Sequence, residues 1–556
     1  MPCSLPRSPL SAAETEIDTI IIGNGPSAMI LSYILHGHVP FYSSEPPHPD
    51  PLLHAKLLNA PCLLRSDLDA LTHHFAASRM SYATQALPVN VLLDTLLRPN
   101  GDTDDLGDVT NVRWEYHPHL KIPHRVLGDA PTPGGLWAVE DPARVSWDIQ
   151  TLSYAGLLSL PGYTFADHFR KTKKAELAAF TRPSRRDLAE YLRAYPAEVG
   201  IEDVFYNGAK IAGIERTEDG FYIHSHGIRC KRLVLATGIF SHIIRPPPLL
   251  LPLTQLPGHC SSGAQLLVIG SGFTAADVII STPPDQPILH IFRWDPDNRP
   301  SPLRSGHQQT YPEYAGVYRL MKRAAMSSIG ATPQSKPRKL ASTPFLKSRN
   351  WDQVYEGLPN CEVVDVSVHN GKGTVTLRLP DEKGTTIVRR VCGLAYTVGR
   401  RGSLDYLDPS LRAEVLDGAG ELDNGMVTPR TLRNKVMEDL EVAPGVFVIG
   451  SLTGDSLIRY AYGGCVHVAS TLMNRDQEQT SSGGSTPKRP AGTPTGGQDA
   501  LLNGIDGHGR PSNDFCQSND EANAMNGARN CPDLAGSSWI MRKWWNAFMN
   551  VFSSAS

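Results

Sequence analysis

Two stretches of this chain repeat one local design. Residues 19–34 read T-I-I-I-G-N-G-P-S-A-M-I-L-S-Y-I, and the stretch from Leu266 reads L-L-V-I-G-S-G-F-T-A-A-D. In each, a short apolar run passes straight into a glycine turn, and an apolar helical pattern follows. That order is the strand–turn–helix that cradles the pyrophosphate of a dinucleotide. Gly23 permits the tight turn, Gly25 lets backbone approach the phosphates, and Ala28 keeps the helix close to the strand, with Asn24, Pro26 and Ser27 completing the loop. Gly270, Gly272 and Ala275 repeat those roles in the second copy, with Ser271 and Thr274 between them. The helix N-terminus beneath each turn favours an anion. Two such units constrain the chain to an α/β fold with two Rossmann-like dinucleotide-binding domains. Two facing dinucleotides suit one flavin and one nicotinamide, FAD and NADPH.

The 556 residues suffice for two domains with sizeable cores, and a net charge of -3 gives no field that would draw nucleic acid. The nine cysteines are scattered, with no C-x-x-C pair. This argues against a disulfide framework, a zinc ribbon or a thiol-disulfide centre, and no metal site is expected. There is no secretory h-region and no run of eighteen apolar residues, so the expected address is intracellular, in the cytoplasm.

The expected organisation is a flexible leader (1–15) and a FAD-binding domain over 16–250 with an insertion at 45–130. A proline-rich linker (Ile244 to Pro257) leads to an NADP-binding domain over 258–385. The FAD-binding domain resumes over 386–477, then a disordered linker (478–535) and an amphipathic helix (536–553) with an aromatic face follow. That helix can dock on its own body, bind a protein partner or lie on a membrane surface. The acid-free basic run 321–349 is either a solvated loop or a surface that attracts a phosphate-bearing ligand.

Further motifs bear on the cofactors. An acid about 20 residues after the first glycines ordinarily holds the ribose. The stretch H-V-P-F-Y-S-S-E places Glu45 near that distance. Leu233 to Gly238, L-V-L-A-T-G, is a strand end that would bring Thr237 and Gly238 to the flavin. The segment from Gly445 has a strand ending at Gly450, then Asp455, then a helix starting near Gly463 and Gly464. In two-dinucleotide flavoproteins such an acid holds the ribityl chain and such a helix end faces the flavin edge. Arg293, after the strand from Pro287, is placed to meet a 2′-phosphate and so to select NADPH.

Beyond these motifs, the chain resembles the oxidative stress-induced growth inhibitor family, itself similar to flavin-containing monooxygenases. The resemblance rests on I-I-G-N-G-P-S, H-P-D-P-L-L-H-A-K-L (48–57), L-L-D-T-L-L-R-P (92–99), and I-P-H-R-V-L-G followed by G-G-L-W (122–137). It continues through V-L-A-T-G, Y-P-E-Y (311–314) and G-D-S-L-I-R-Y-A-Y-G-G-C-V-H-V-A-S-T-L (454–472), and covers about 17–475. In flavin monooxygenases a Gly-Gly-x-Trp turn lies against the FAD, which is the expectation for Gly134, Gly135, Leu136 and Trp137. The resemblance implies FAD and NADPH binding, monooxygenase chemistry on a small-molecule or protein-borne nucleophile, and a part in regulating cell growth or division. The F-x-G-x-x-x-H motif of flavin-containing monooxygenases is absent from 256–263, L-P-G-H-C-S-S-G. The asparagine expected near Asp148 to Pro161 also has no match, and no catalytic side chain is identified. A poorly shielded reduced flavin would release hydrogen peroxide. The alternative from another class is a regulatory scaffold or redox sensor with little turnover; a reductase that passes electrons to another protein is a third.

Overall fold

Strand β1 (Glu16–Ile22) is buried from Thr19 to Ile22, and it has parallel neighbours on both sides. One is β4 (His124–Gly128); the other is β8 (Ile228–Leu235). The computed structural model describes residues 16–78, 82, 86–99, 109–139, 147–258, 263–297, 301–305, 312–328, 344–418 and 426–482. The leader, the terminal helix 536–553, residues 329–343 of the basic run and the linker beyond Ser482 lie outside these. Beyond β8 the sheet continues with β19 (Val446–Val448) and β18 (Glu441–Ala443), and beyond β4 with β5 (Phe205–Asn207). The hairpin of β6 (Ile214–Thr217) and β7 (Gly220–Ile223) is attached to β8. Strands covered on both faces carry near-continuous apolar runs, which is why R-L-V-L and D-T-I-I-I read as they do.

The second strand of this unit is not the one expected. His38–Tyr42 forms β2, which pairs antiparallel with β3 (Val112–Tyr116) in a separate two-stranded sheet. Its place beside β1 is taken by β4, whose Val126, Leu127 and Gly128 are buried. The insertion therefore opens before residue 45 and closes before β4, not at 130. Pro40 and the half-exposed His38 and Phe41 suit a peripheral strand rather than one covered on both faces.

The insertion is bolted to the C-terminal part of the domain. Its helix Pro88–Leu97 buries Leu92, Leu93 and Leu96 completely. From the same helix Asp94 receives Arg459, whose Nε lies 2.9 Å from both carboxylate oxygens. Arg98 adds a contact at 3.1 Å. Arg459 is 2 % exposed, so this is a desolvated charge whose carboxylate partner offsets the cost of its burial.

The second sheet has the order β12-β11-β10-β15-β14-β13. Strands β10 (Gln265–Ile269), β11 (Ile288–Phe292), β12 (Tyr355–Pro359) and β15 (Thr386–Tyr396) run parallel; β13 (Glu362–His369) and β14 (Lys372–Arg378) form an antiparallel flank. Because β15 lies beside β10, the second domain runs past the expected end at 385. The supposed linker is also part of this domain. Its 3-10 helix Pro248–Gln255 packs Leu250 and Leu253, together with Leu256, on Val375, Leu377 and Val391. The chain crosses between domains through β9 (His242–Ile243) and β16 (Arg400–Ser403), which pair antiparallel with each other; β16 also pairs with β17 (Met426–Val427). The last described helix, Tyr462–Ser482, extends past the expected boundary at 477.

Removing Arg459 strands a buried carboxylate that Arg98 only partly compensates. Arg459→Ala is expected to lower stability by about 3 kcal/mol or more, read as a drop in urea midpoint, with Arg98→Ala costing much less.

Candidate functional site

The first glycine turn is fixed by what surrounds it. Gly23 has φ +111°, and a Cβ there would sit 2.6 Å from the Ala236 carbonyl oxygen, so no larger residue fits. At Gly25 a Cβ would meet nothing within 4 Å. Gly25 faces a cavity of about 750 Å³ and caps the helix Pro26–Leu35, which has no side-chain cap and no acid in its first turn. This is an open cradle at a helix N-terminus, of a size and chemistry that fit a dinucleotide pyrophosphate. Asn24 is buried, and its Nδ2 donates to Ala130 O (3.0 Å), Thr132 O (3.2 Å) and Asn207 Oδ1 (2.7 Å). It thereby ties the turn to the segment after β4 and to the end of β5.

The Gly-Gly-x-Trp turn rests on that loop. Gly134 N donates to Asn24 O (2.9 Å), and a Cβ on Gly135 would lie 3.1 Å from the Gly25 Cα. Both glycines have positive φ, and Leu136 and Trp137 line the same cavity. Pro26, Ser27, Thr237, Gly238 and Gly450 line it too. Ala28 is buried beneath the turn.

Glu45 is exposed and is not in the cavity wall. The residue after β4, Asp129, is in that wall. Since β4 is the strand beside β1, Asp129 occupies the position at the end of the unit's second strand where a ribose-binding acid belongs. Sequence distance misled here, because the insertion separates the first helix from its strand. The signal was present in V-L-G-D, an apolar strand ending in Gly-Asp just before G-G-L-W.

Asp455 reaches the wall, but its carboxylate is already engaged. It accepts from Leu87 N (2.8 Å), Asn90 Nδ2 (2.7 Å) and Arg433 Nη1 (2.9 Å). Burial pushes its pKa up, against the pull of Arg433 and the two N–H donors. Gly463 and Gly464 lie away from the wall. A Cβ on Gly463 would strike the Val89 carbonyl at 2.1 Å, and Gly464 N donates to Asn90 Oδ1 (2.7 Å). The start of the helix Tyr462–Ser482 is thus met by the insertion, and the glycines there serve close packing.

In the second unit Gly270 has φ +147°, with a Cβ position 2.4 Å from Thr397 O. Ser271 O accepts from Ser301 Oγ (2.6 Å), Gly272 caps the helix Phe273–Ser281 without a side-chain cap, and Ala275 is fully buried. Thr274 reaches the shared cavity along with Phe273, Asp277 and Tyr314, so both domains line one space. Arg293 is exposed directly after β11, the second strand of its unit. His290, which sequence reasoning passed over, lies under this turn. Its Nε2 donates to Gly270 O (2.7 Å), so Nδ1 accepts from Tyr355 OH (2.8 Å). Burial pushes it down to about 4, leaving a neutral ring.

Among the described residues no cluster of His, Cys, Asp or Glu could hold a metal, and the described cysteines are free. No described helix is long and apolar enough to cross a membrane.

The chain is 28% identical to mouse oxidative stress-induced growth inhibitor 1 over 513 residues, 84% of this chain and 97% of that protein. It resembles the oxidative stress-induced growth inhibitors. Human growth inhibitor 1 is likewise 28% identical over 511 residues, 84% of this chain and 97% of that protein, and human growth inhibitor 2 is 23% identical over 544, 86% and 97%. No protein-family model matches the chain. Among solved structures, a flavin-containing monooxygenase from Stenotrophomonas maltophilia aligns with TM-score 0.43 and 13% identity, covering 84% of this chain and 99% of that one. The bacillithiol disulfide reductase of Staphylococcus aureus aligns with TM-score 0.44 and 11% identity, covering 83% and 100%. The segments that carry the growth-inhibitor resemblance divide physically. G-N-G-P-S and G-G-L-W line the cavity, whereas G-D-S-L-I-R does so with Asp455 to Ile458 and also grips the insertion helix through Asp455 and Arg459.

Buried neutral histidines make stability pH-dependent. His124 is also pushed down to about 4 by burial, with Nδ1 donating to Ile122 O (2.8 Å). Unfolded histidine titrates near 6.5, so between about 6.5 and 4 the unfolded chain binds more protons and stability falls as pH drops. At pH 7 this contribution is fully present. Each ring contributes at most about 3 kcal/mol. Urea midpoints should fall steadily from pH 7 to 4.5, and His290→Gln should flatten that slope.

Proposed function

We propose that this chain is a FAD-dependent, NADPH-using oxidoreductase of the monooxygenase type that acts in the control of cell growth. The observation that carries the reading is the single cavity lined from both units, by the first glycine turn at Gly25 and by Phe273, Thr274 and Asp277 of the helix that follows the second turn. In it Gly25 and the start of the helix Pro26–Leu35 would hold the FAD pyrophosphate. Asp129 would hold the ribose, and Gly134–Trp137, Thr237, Gly238 and Gly450 would enclose the rest. The turn at Gly270–Thr274 and the exposed Arg293 would hold NADPH. Bound flavin would supply two-electron transfer between the nicotinamide and an acceptor. The protein's part is to orient the rings and to exclude water, with Trp137, Phe273 and Tyr314 as the apolar walls. The expected substrate is a soft nucleophile, carried on a small molecule or a protein.

The engagement of Asp455 and Gly464 by the insertion favours a second reading. Two groups expected to serve the flavin are spent on packing, which suits a nucleotide-binding scaffold or redox sensor with slow turnover. The growth-inhibitor names of the relatives fit either reading.

Purified full-length protein should carry flavin, and four substitutions should sort by position. Gly25→Val, filling the open cradle, and Asp129→Ala should weaken FAD binding at least tenfold while leaving the fold intact. Glu45→Ala should leave it unchanged. Gly23→Ala, at a positive φ against Ala236, should lower the melting temperature. Equal flavin affinity in all four would refute the assignment. Arg293→Ala should remove any preference for NADPH over NADH; NADPH oxidation absent from flavin-loaded protein would favour the scaffold.

A further inference from the structure

Asp277 is a half-buried carboxyl group with a neutral hydrogen-bond partner. It lies on the helix Phe273–Ser281, in the wall of the cavity where the two domains meet. Among the described residues its one hydrogen-bond partner is neutral: Tyr314 OH donates to Oδ1 at 2.8 Å. The nearest charged groups with known partners are engaged elsewhere, while Asp129, Lys210, His242, Arg400 and Asp405 line the same wall. Beneath the helix, β10 carries no titratable side chain. On the helix Pro312–Ser328, Glu313 is paired with Arg182 of the first domain at 3.4 Å. Arg185, in the same wall, donates to Val139 O (2.6 Å) and stacks on Trp147 at 4.3 Å. Burial without a cation drives the Asp277 carboxyl up to about 6, and the Tyr314 hydrogen bond opposes this only in part. Burial also pushes the Tyr314 hydroxyl up, so it stays a donor.

We propose that Asp277, held by the Tyr314 hydroxyl, stores and delivers the proton for reduction chemistry in the cavity between the two domains. This rests on the proposed function. A ligand that fills the cavity removes water from the open side of the carboxyl, and an anionic dinucleotide adds repulsion; both favour the protonated acid. Two-electron reduction of dioxygen by a dihydronicotinamide consumes one proton: NADPH + H⁺ + O₂ gives NADP⁺ + H₂O₂. The hydride equivalent supplies the electron pair and one hydrogen. The O–H bond of Asp277 breaks, its proton goes to the oxygen that has received the electron pair, and the carboxylate recovers a proton from solvent. The Y-P-E-Y segment then has two tasks, with Glu313 reaching across to Arg182 and Tyr314 fixing the acid.

The test compares FAD-loaded wild-type protein with Asp277→Asn and Tyr314→Phe by infrared titration of the protonated carboxyl. The wild type should show a carboxylic acid band that is lost with a midpoint near 6 and is absent in Asp277→Asn. Saturating NADP⁺ should move the midpoint above 7. Tyr314→Phe should raise it without ligand, because the lost hydrogen bond favoured the anion. Reoxidation of NADPH-reduced protein by oxygen should slow at least tenfold in Asp277→Asn and lose its pH dependence near the same midpoint. An unchanged infrared titration in Asp277→Asn, or a midpoint indifferent to bound NADP⁺, would overturn the proposal while leaving the oxidoreductase reading standing. A protein that binds no NADP⁺ yet keeps the Asp277 band would defeat that reading, and the delivery step with it.

Discussion

Two backbone carbonyls, those of Ala236 and Thr397, press into the spaces where Gly23 and Gly270 have no side chain. Each carbonyl follows a strand, β8 in one sheet and β15 in the other, that runs parallel to the strand feeding the turn. The contact holds the turn down against its neighbour, so the next glycine and the start of the helix face outward. Neither glycine can be exchanged for a larger residue, since both sit at positive φ as well as against backbone. In the first domain this leaves Gly25 in the wall of the shared cavity; in the second, the wall is reached by Phe273, Thr274 and Asp277 of the helix beyond the turn.

The first domain differs from its partner in what lies between its first helix and its second strand. The second unit passes from helix to β11 within a few residues, whereas the first inserts a two-stranded sheet and several helices before β4. Such an excursion must be held somewhere, and it is held by apolar packing on the first core together with buried polar contacts. Asp94 and Arg459 form a buried pair, and Asp455 gathers Arg433, Asn90 and the Leu87 amide. Asp455 and Gly464, expected from the sequence to serve a flavin, are both engaged by the insertion, while Asp455 also lines the cavity.

Local features were legible in the sequence, and long-range pairings were not. The glycine turns, the G-G-L-W turn and the L-V-L-A-T-G strand end all announce themselves within a dozen residues, because the backbone conformation they require is local. The choice between H-V-P-F-Y and H-R-V-L-G as the strand beside β1 depends on partners roughly a hundred residues away. Both have apolar character, and only burial on both faces separates them. The same blindness placed the domain boundary before β15, although L-A-Y-T-V-G echoes L-A-T-G and delivers the carbonyl that Gly270 needs. Nothing local to Asp277 says that its side-chain partner among the described residues would be a tyrosine from another helix.

The pairing of β9 with β16 brings the two covalent crossings between the domains side by side, Arg400 opposite Ile243 and Arg401 opposite His242. A body tethered at two separated points resists turning; one tethered at two adjoining points pivots about them. The second domain is therefore mounted like a door on one narrow ribbon. The Arg182–Glu313 pair joins the two domains at a second place, off that ribbon. His242 and Arg400 also line the cavity, so the ribbon that joins the domains forms one edge of the space between them.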